Sequence, residues 1–193
     1  MDTKRRILGI DPGTQMIGWG VVDVEGGKPR FCQMGVISLK GEKDHFAKLG
    51  RIFNEIGGLV HRFSPNEFAI ESPFYGKNVQ SMLKLGRAQG IAIAAALNAG
   101  LPVYEYAPRK IKQSITGKGA ASKEQVSSVI CAILSVKELP EALDATDGLA
   151  AALCHFLSGD VHISIRKHEK GARQTNKERG WEAFLKNNPG RIK

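Results

Sequence analysis

The sequence predicts an α/β protein built on a five-stranded mixed β-sheet. Three segments rich in β-branched and aromatic residues come first, two shorter strand-like segments each follow a helical segment, and further helical segments end the ordered part. The chain has 193 residues, of which 42% are hydrophobic, and this is enough for one ordinary domain with a substantial core.

The first three strands are expected to form an antiparallel meander. The apolar run 5–10 ends at Asp11, before a Pro-Gly turn, and segments 17–24 and 31–39 are separated by a Gly-Gly-Lys-Pro sequence. Strand-like runs joined by such short turn sequences pair with their neighbours along the chain.

Two helices then alternate with two more strands. Residues 45–63 carry apolar side chains at helical spacing, and residues 78–98 begin with Asn at the N-cap position and continue into an Ala-rich stretch. Residues 67–71 and 102–106 are short and rich in strand-forming residues. The strand at 67–71 ends on an acidic residue, as the first strand does.

The last ordered segments are mainly helical. The basic, Gly-containing residues 108–121 predict a loop. Ser122 and Gln125 then match a capping box, which starts a helix that Leu139-Pro140 interrupts. A final helix carries residues 144–153.

Basic charge is concentrated in two zones of a chain whose formal net charge is +9. Residues 76–123 contain eight Lys or Arg and one acidic residue, and residues 160–193 contain nine basic and four acidic residues, so the remainder is acidic overall. This distribution is typical of a protein that grips a polyanion with one surface and processes it with carboxylates elsewhere. A solvated surface is the alternative interpretation of either zone.

The composition argues against a secreted or membrane protein. Cys32, Cys131 and Cys154 are widely separated in apolar surroundings, which suits reduced thiols better than disulfides or a zinc site. No apolar run approaches the ~20 residues of a membrane helix, and the N-terminus lacks the apolar segment of a signal peptide. A cytoplasmic protein without a membrane partner is expected.

Four acidic residues are expected to converge at one edge of the sheet. Asp11 and Glu71 end predicted strands, and Asp144 and Asp147 lie three residues apart and so share one helix face. Carboxylates without neighbouring His or Cys favour Mg²⁺ or Mn²⁺ over zinc. Taken alone, Asp11 is also a common turn residue, and acidic residues such as Asp144 and Asp147 are favoured near a helix N-terminus.

Several short motifs accompany these acids. They are Gly9-Ile10-Asp11-Pro12-Gly13, Ala69-Ile70-Glu71, Lys77-Asn78, Leu83-Lys84-Leu85-Gly86, Val103-Tyr104-Glu105-Tyr106, Lys112-Gln113-Ser114 with Gly117, and Asp144-Ala145-Thr146-Asp147. With them the chain resembles the RuvC-type Holliday junction resolvases, crossover junction endodeoxyribonucleases of the RNase H-like fold, over residues 6 to about 158. The resemblance implies a five-stranded mixed sheet with helices on both faces.

The resemblance also implies roles for individual residues. The catalytic metal ligands would be Asp11, Glu71, Asp144 and Asp147. Lys112 and Lys123 match basic residues near the scissile phosphate, and Phe74 matches an aromatic residue that contacts bases at the junction.

The implied reaction is in-line hydrolysis of a phosphodiester in a four-way DNA junction, with two Mg²⁺ ions per subunit, replaceable by Mn²⁺, and a 5′-phosphate product. The family works as a homodimer that makes paired symmetric nicks in homologous recombination and DNA repair. A partnership with the RuvA-RuvB branch-migration complex is therefore expected.

The basic zone supplies further candidates for DNA binding. Phe74 and Tyr75 are candidates for stacking on an unpaired base, with core packing as the alternative for either. Other side chains would contact phosphates and so position DNA without reading its sequence: Lys77, Asn78, Lys84, Arg87, Arg109, Lys110 and Lys118. Residues 1–159 would form the nuclease domain, and residues 160–193 a basic, flexible tail of open role outside the resemblance.

Two other functions stay open at this point. Asp11-Pro12-Gly13-Thr14 also looks like the phosphate-binding turn of actin-like sugar kinases and ATPases, but those proteins need two such lobes and only one fits this length. A DNA-binding protein without enzymatic activity is the other alternative. It would leave the four acids and the basic zone unexplained as a set.

Overall fold

The computed structural model describes residues 5–42, 44–73, 78–139 and 143–159, and side chains in the last of these ranges from Ala145 onward. A compact unit spans residues 1–161. The second unit, residues 162–193, lies outside the described ranges, and so do the expectations for the basic tail.

Five strands form one mixed sheet with the order β3-β2-β1-β4-β5. The first three, β1 (Arg5–Asp11), β2 (Met16–Glu25) and β3 (Lys28–Ser38), pair antiparallel. The strand β4 (Glu67–Glu71) pairs parallel with β1, and β5 (Val103–Tyr106) pairs parallel with β4. The predicted meander and the predicted mixed sheet are confirmed.

Five helices accompany the sheet. They are α1 (His45–Phe63), α2 (Val79–Asn98), α3 (Pro108–Thr116), α4 (Lys123–Leu134) and α5 (Leu143–Ser158). Asn78 caps α2 as predicted, because its side chain accepts a hydrogen bond from Ser81 N. The predicted capping box of Ser122 and Gln125 is also present at the start of α4.

The prediction of a loop over residues 108–121 is wrong, because α3 occupies most of it. Pro108 is tolerated in the first helical turn, and Ile111 and Ile115, four residues apart, are both buried. Gly117, with φ of 74°, ends the helix in the left-handed region. The helix α4 also ends earlier than predicted, at Ser135 with φ of 55°.

Helices cover both faces of the sheet, as the resemblance implied. Alternate residues of β1 point to opposite faces. Ile7 belongs to a core shared with α3, α4 and α5. Leu8 and Ile10 belong to a second core shared with α1 and α2. The sheet is therefore the middle layer of three.

The backbone of α5 lies directly against β1 and β2. A Cβ atom at Gly9 would collide with the carbonyl oxygen of Gly148 and with Ala152 of α5. One at Gly20 would lie 2.5 Å from Leu149 Cα, and one at Gly148 would lie 2.5 Å from Trp19 Cα. Three glycines on facing elements thus set the helix-to-sheet distance.

The far end of α5 is held by a buried chain of polar groups. His155 is 2% exposed, and its Nε2 lies 2.7 Å from a Glu67 carboxylate oxygen while its Nδ1 lies 2.6 Å from the Tyr106 hydroxyl. Burial alone would raise the pKa of Glu67, but hydrogen bonds from His155 and Arg5 outweigh it and lower this pKa to about 2. Because α5 joins β4 and β5 through this chain, both of its ends are tied to the sheet.

Two expectations from composition can also be compared with the structure. Cys32, Cys131 and Cys154 all carry free thiols. In the part of the chain that the structure describes, every helix is too short or too polar to cross a membrane.

We predict that Gly148→Ala destabilises the fold, because the added Cβ would meet backbone atoms of β2 that cannot rotate away. The expected loss is about 3 kcal/mol, measured by urea unfolding followed by circular dichroism. Gly58→Ala is the matched control: it lies inside α1 with no atom near the new Cβ, and it should stabilise by about 0.5–1 kcal/mol. Equal stability of the two variants would contradict the close approach of α5.

Candidate active site

Asp11 and Glu71 lie side by side at the carboxyl edge of the sheet. The parallel register of β1 and β4 pairs Ile10 with Ile70, so the two acids occupy the next position of the same register. Side chains an even number of residues apart on a strand point to the same face of the sheet. Asp11 is separated in this way from Ile7, and Glu71 from Ala69. Because Ile7 and Ala69 belong to the core shared with α5, both acids lie on the face that α5 covers. Period-two spacing on two neighbouring strands thus brings the carboxylates together.

The helices of the same face complete the site. Asp147 of α5, Lys112 of α3 and Lys123 of α4 line a cavity of about 370 Å³ together with Asp11 and Glu71. Apolar side chains from the three helices form the rest of its wall. The structure therefore brings together three of the four predicted acids and both predicted lysines.

The fourth predicted acid, Asp144, belongs to the first turn of α5. Its side chain lies outside the described part of the structure. Its backbone position, three residues before Asp147, fits the same helix face.

Charge is poorly balanced around Glu71. Burial, the charge of Asp11 and the charge of Asp147 raise the pKa of Glu71 to about 8, against the smaller opposing effects of the two lysines. Carboxylates this close repel one another, and a bound cation relieves such repulsion. The raised pKa therefore indicates that the negative charge of the carboxylates exceeds the positive charge that the neighbouring lysines supply.

One ion pair crosses the cavity. The Lys123 ammonium donates a hydrogen bond to Asp147 Oδ2 at 2.7 Å. The Lys123 side chain is 52% exposed and that of Asp147 is 25% exposed, so the pair lies at the mouth of the cavity. Lys112 lies deeper and is half-buried.

The donor set fits a hard divalent cation by its chemistry. Asp11, Glu71 and Asp147 offer only oxygen ligands, the kind that Mg²⁺ and Mn²⁺ prefer. Among the side chains that the structure describes, no three acidic, His or Cys groups stand close enough to hold an ion unaided.

The other predicted DNA-binding residues that the structure describes lie on or next to α2, on α3 and in the turn after α3. Arg109 lies with Lys112 in a second cavity of about 370 Å³ that the turn at Gly119 and Ala120 closes. The side-chain oxygen of Asn78 is engaged in capping α2. The exposed basic residues are Lys84, Arg87, Arg109, Lys110 and Lys118. The predictions for Phe74, Tyr75 and Lys77 fall outside the described ranges.

Two parts of the site were not predicted. The helical state of α3, which carries Lys112, was signalled by the spacing of Ile111 and Ile115 behind Pro108. Tyr106, whose carbonyl accepts a hydrogen bond from Ser72 N just after Glu71, links this edge of the sheet to His155. No local sequence pattern indicates that link, because its three side chains come from distant segments.

We predict that Glu71→Gln stabilises the metal-free protein at alkaline pH. The folded-state pKa of Glu71 is raised from 4.5 to about 8, so the wild type loses stability as pH rises through this range, and the variant does not. The expected gain is roughly 0.5–2 kcal/mol at pH 9, fading to none below pH 4.5, by urea unfolding in EDTA. Glu25→Gln, at the exposed end of β2, is the control and should show no such gain. A Glu71→Gln variant less stable than the wild type at pH 9 would refute the raised pKa.

Comparison with known proteins shows where this site belongs. The family model described as Crossover junction endodeoxyribonuclease RuvC matches residues 7–155. A relative of that name from Cytophaga hutchinsonii is 50% identical over 98% of this chain and 88% of its own length. Another from Christiangramia forsetii is 50% identical over 100% of this chain and 95% of its own length. That alignment includes residues 160–193, so the expectation that the tail falls outside the resemblance does not hold for this relative.

Solved structures agree. The Thermus thermophilus RuvC structure has a TM-score of 0.72 at 37% identity, covering 79% of this chain and 93% of that chain. The same protein in complex with a Holliday junction substrate has a TM-score of 0.71 at 35% identity, with the same coverage. The yeast mitochondrial resolvase Ydc2, at 14% identity and a TM-score of 0.60, shares the fold over 79% of this chain and 78% of that chain. The predicted RNase H-like fold is confirmed, and the chain belongs to the RuvC family of crossover junction endodeoxyribonucleases.

Proposed function

We propose that this nuclease resolves Holliday junctions by paired symmetric, Mg²⁺-dependent nicks that leave 5′-phosphate ends, in homologous recombination and DNA repair. The observation that carries the proposal is the single cavity lined by Asp11, Glu71, Asp147, Lys112 and Lys123. Three half-buried acids beside two lysines suit the hydrolysis of a phosphodiester, whose developing negative charge needs cations around it.

Nucleases of this family depend on a metal ion. We assign the role to two Mg²⁺ ions per subunit, with Mn²⁺ as a substitute, and the ligands to Asp11, Glu71, Asp144 and Asp147. When bound, such ions lower the pKa of water and neutralise charge on the phosphoryl oxygens. The oxygen-only donor set and the unrelieved repulsion at Glu71 support this assignment.

The chain itself contributes cations and orientation. Lys112, from its half-buried position on α3, would stabilise charge on the scissile phosphate, and Lys123 would do so from the mouth of the cavity. Further phosphates would be bound by the exposed basic residues, with Phe74 and Tyr75 stacking on bases opened at the junction. Exposed members of that basic set include Arg109 and Lys110 on α3.

The enzyme would act as a homodimer joined through α2. This helix exposes a stripe of apolar and small residues along its whole length, which is the surface a symmetric helix pair buries. Its members are Val79, Leu83, Gly86, Gly90, Ala94 and Leu97. The neighbouring helix α1 adds Phe46, which is 73% exposed. A dimer supplies two active sites, one for each nicked strand.

The cellular setting follows from the substrate. An enzyme that resolves recombination intermediates of chromosomal DNA would act in the cytoplasm of a bacterial cell. A branch-migration complex such as RuvA-RuvB would deliver the junction. Residues 1–159 would form the nuclease domain, and the basic residues of 160–193 would add to DNA affinity at low salt.

The two alternatives raised by the sequence lose their support. A sugar kinase or ATPase lobe and a DNA binder without activity both differ from the nucleases of the matching family. The turn after Asp11 has a structural explanation of its own, because a Cβ at Gly13 would collide with the carbonyl oxygen of Met16.

We predict that Asp11→Asn abolishes junction cleavage but not junction binding. Removing one ligand charge should lower the nicking rate in Mg²⁺ by at least about 10²-fold, while the affinity for a four-way junction, measured in Ca²⁺ or EDTA, is retained. Asp44→Asn is the matched control, because Asn preserves the cap that Asp44 provides to α1.

The same assay compares a four-way junction with a linear duplex. Symmetric nicks on the junction alone are expected from the wild type. Equal nicking of the linear duplex, or cleavage by Asp11→Asn at the wild-type rate, would refute the proposal.

We predict that Leu83→Glu converts a dimer to a monomer. Leu83 is 52% exposed and is the second residue of the α2 stripe, so a carboxylate there is tolerated by the fold but not by an apolar interface. Light scattering should give the mass of one chain, and paired nicks should become single. Leu157→Glu, at a residue 42% exposed on α5, is the control and should remain dimeric. A Leu83→Glu dimer would place the interface elsewhere.

A further inference from the structure

The ion pair at the mouth of the proposed catalytic cavity joins two residues whose proposed roles in catalysis require other partners. Asp147 is a proposed metal ligand, and Lys123 is proposed to face the scissile phosphate. In the structure they bind each other, with 2.7 Å between the ammonium nitrogen and Oδ2. An ammonium at that distance occupies one of the two oxygens that a cation would use, and it also repels an incoming dication.

The two partners differ in freedom to move. Asp147 follows the buried Ala145 and Thr146 and directly precedes Gly148, whose backbone contact with β2 leaves α5 no room to shift. Lys123 is the first residue of α4, where the capping box of Ser122 and Gln125 holds its backbone. Its side chain is 52% exposed against 25% for that of Asp147, so the ammonium is the more solvent-accessible member of the pair.

The second lysine of the cavity provides a contrast. Lys112 lines the same cavity and carries the same charge. None of the hydrogen bonds or ion pairs described for the chain involves its ammonium group. Lys112 therefore acts on the carboxylates only through its charge, whereas Lys123 also forms a direct hydrogen bond with Asp147.

We propose that Lys123 is a resident counter-ion of Asp147 that the metal displaces, so that its ammonium reaches the DNA phosphate only after the carboxylate site is filled. The inference rests on the proposed function, because it takes Asp147 as a metal ligand. Lys123 compensates part of the negative charge in the metal-free enzyme, and the same charge moves to the substrate in the loaded enzyme. Metal binding at Asp147 and the transfer of Lys123 to the DNA phosphate are then a single exchange of partners.

The exchange predicts that Lys123 weakens metal binding in the absence of DNA. Calorimetric titration of the full-length, DNA-free protein with Mn²⁺ should show tighter binding for Lys123→Met than for the wild type. Lys112→Met is the matched control, since it removes an equal charge from the same cavity without breaking a bond to Asp147. The gain for Lys123→Met should exceed that for Lys112→Met by about three- to fivefold.

A second measurement follows the lysine itself. In an NMR titration of the wild type with diamagnetic Mg²⁺, the side-chain signals of Lys123, assigned with the Lys123→Met variant, should shift and saturate with the metal site. The Lys112 signals should shift less. Retention of the metal-free Lys123 signals at saturating Mg²⁺ would overturn the exchange.

The outcomes separate this inference from the function on which it rests. Equal gains for Lys123→Met and Lys112→Met, or weaker binding by Lys123→Met, would overturn the exchange while leaving the metal site in place. Asp147→Asn should lose most Mn²⁺ affinity. Undiminished binding by Asp147→Asn, or no binding by the wild type, would instead overturn the proposed ligand set and the exchange with it.

Discussion

The direct contact between the α5 backbone and the strands β1 and β2 is the constraint on which the rest of the structure depends. Gly9 and Gly148 leave no side chain between helix and sheet at the point of closest approach. Asp11 lies two residues after Gly9 on the same strand face, and Asp147 directly precedes Gly148. The packing contact and the spacing of the two carboxylates are therefore one feature, and neither can change without the other.

The electrostatics of the domain are arranged around that contact. Acidic side chains come from the rigid elements, β1, β4 and α5, whereas the lysines come from the shorter helices α3 and α4. Glu71 is kept where its charge is disfavoured, which lowers the stability of the metal-free protein and favours the binding of a cation. At the opposite end of α5, the Glu67 carboxylate is hydrogen-bonded by both Arg5 and His155, so its charge is compensated there.

Much of this architecture could be predicted from local sequence, because local chemistry determines it. Asn78, Ser122 and Gln125 mark helix starts through their own side chains, and strand periodicity alone places Asp11 and Glu71 on one edge. The helix α3 was missed because its basic composition outweighed two buried isoleucines.

The glycine contacts and the His155 chain were not predicted for a different reason. Each joins residues far apart in sequence, and a glycine or histidine alone does not indicate what will lie against it. The same holds for the ion pair of Lys123 with Asp147, since the spacing of neither residue points to the other.

The three-layer arrangement has a geometric consequence for the substrate. The proposed catalytic cavity opens on the layer of α3, α4 and α5, while the apolar stripe of α2 lies in the layer on the other face of the sheet. In the proposed dimer the two cavities would therefore face away from the symmetry axis, separated by two sheets and the helices between them. With layers about 10 Å apart, the two sheets alone would lie roughly 30 Å apart, and the two cavities farther apart than that. The thickness of the protein would then set the distance between the two cleaved phosphates, and a substrate must present its strands at that spacing to be cut twice.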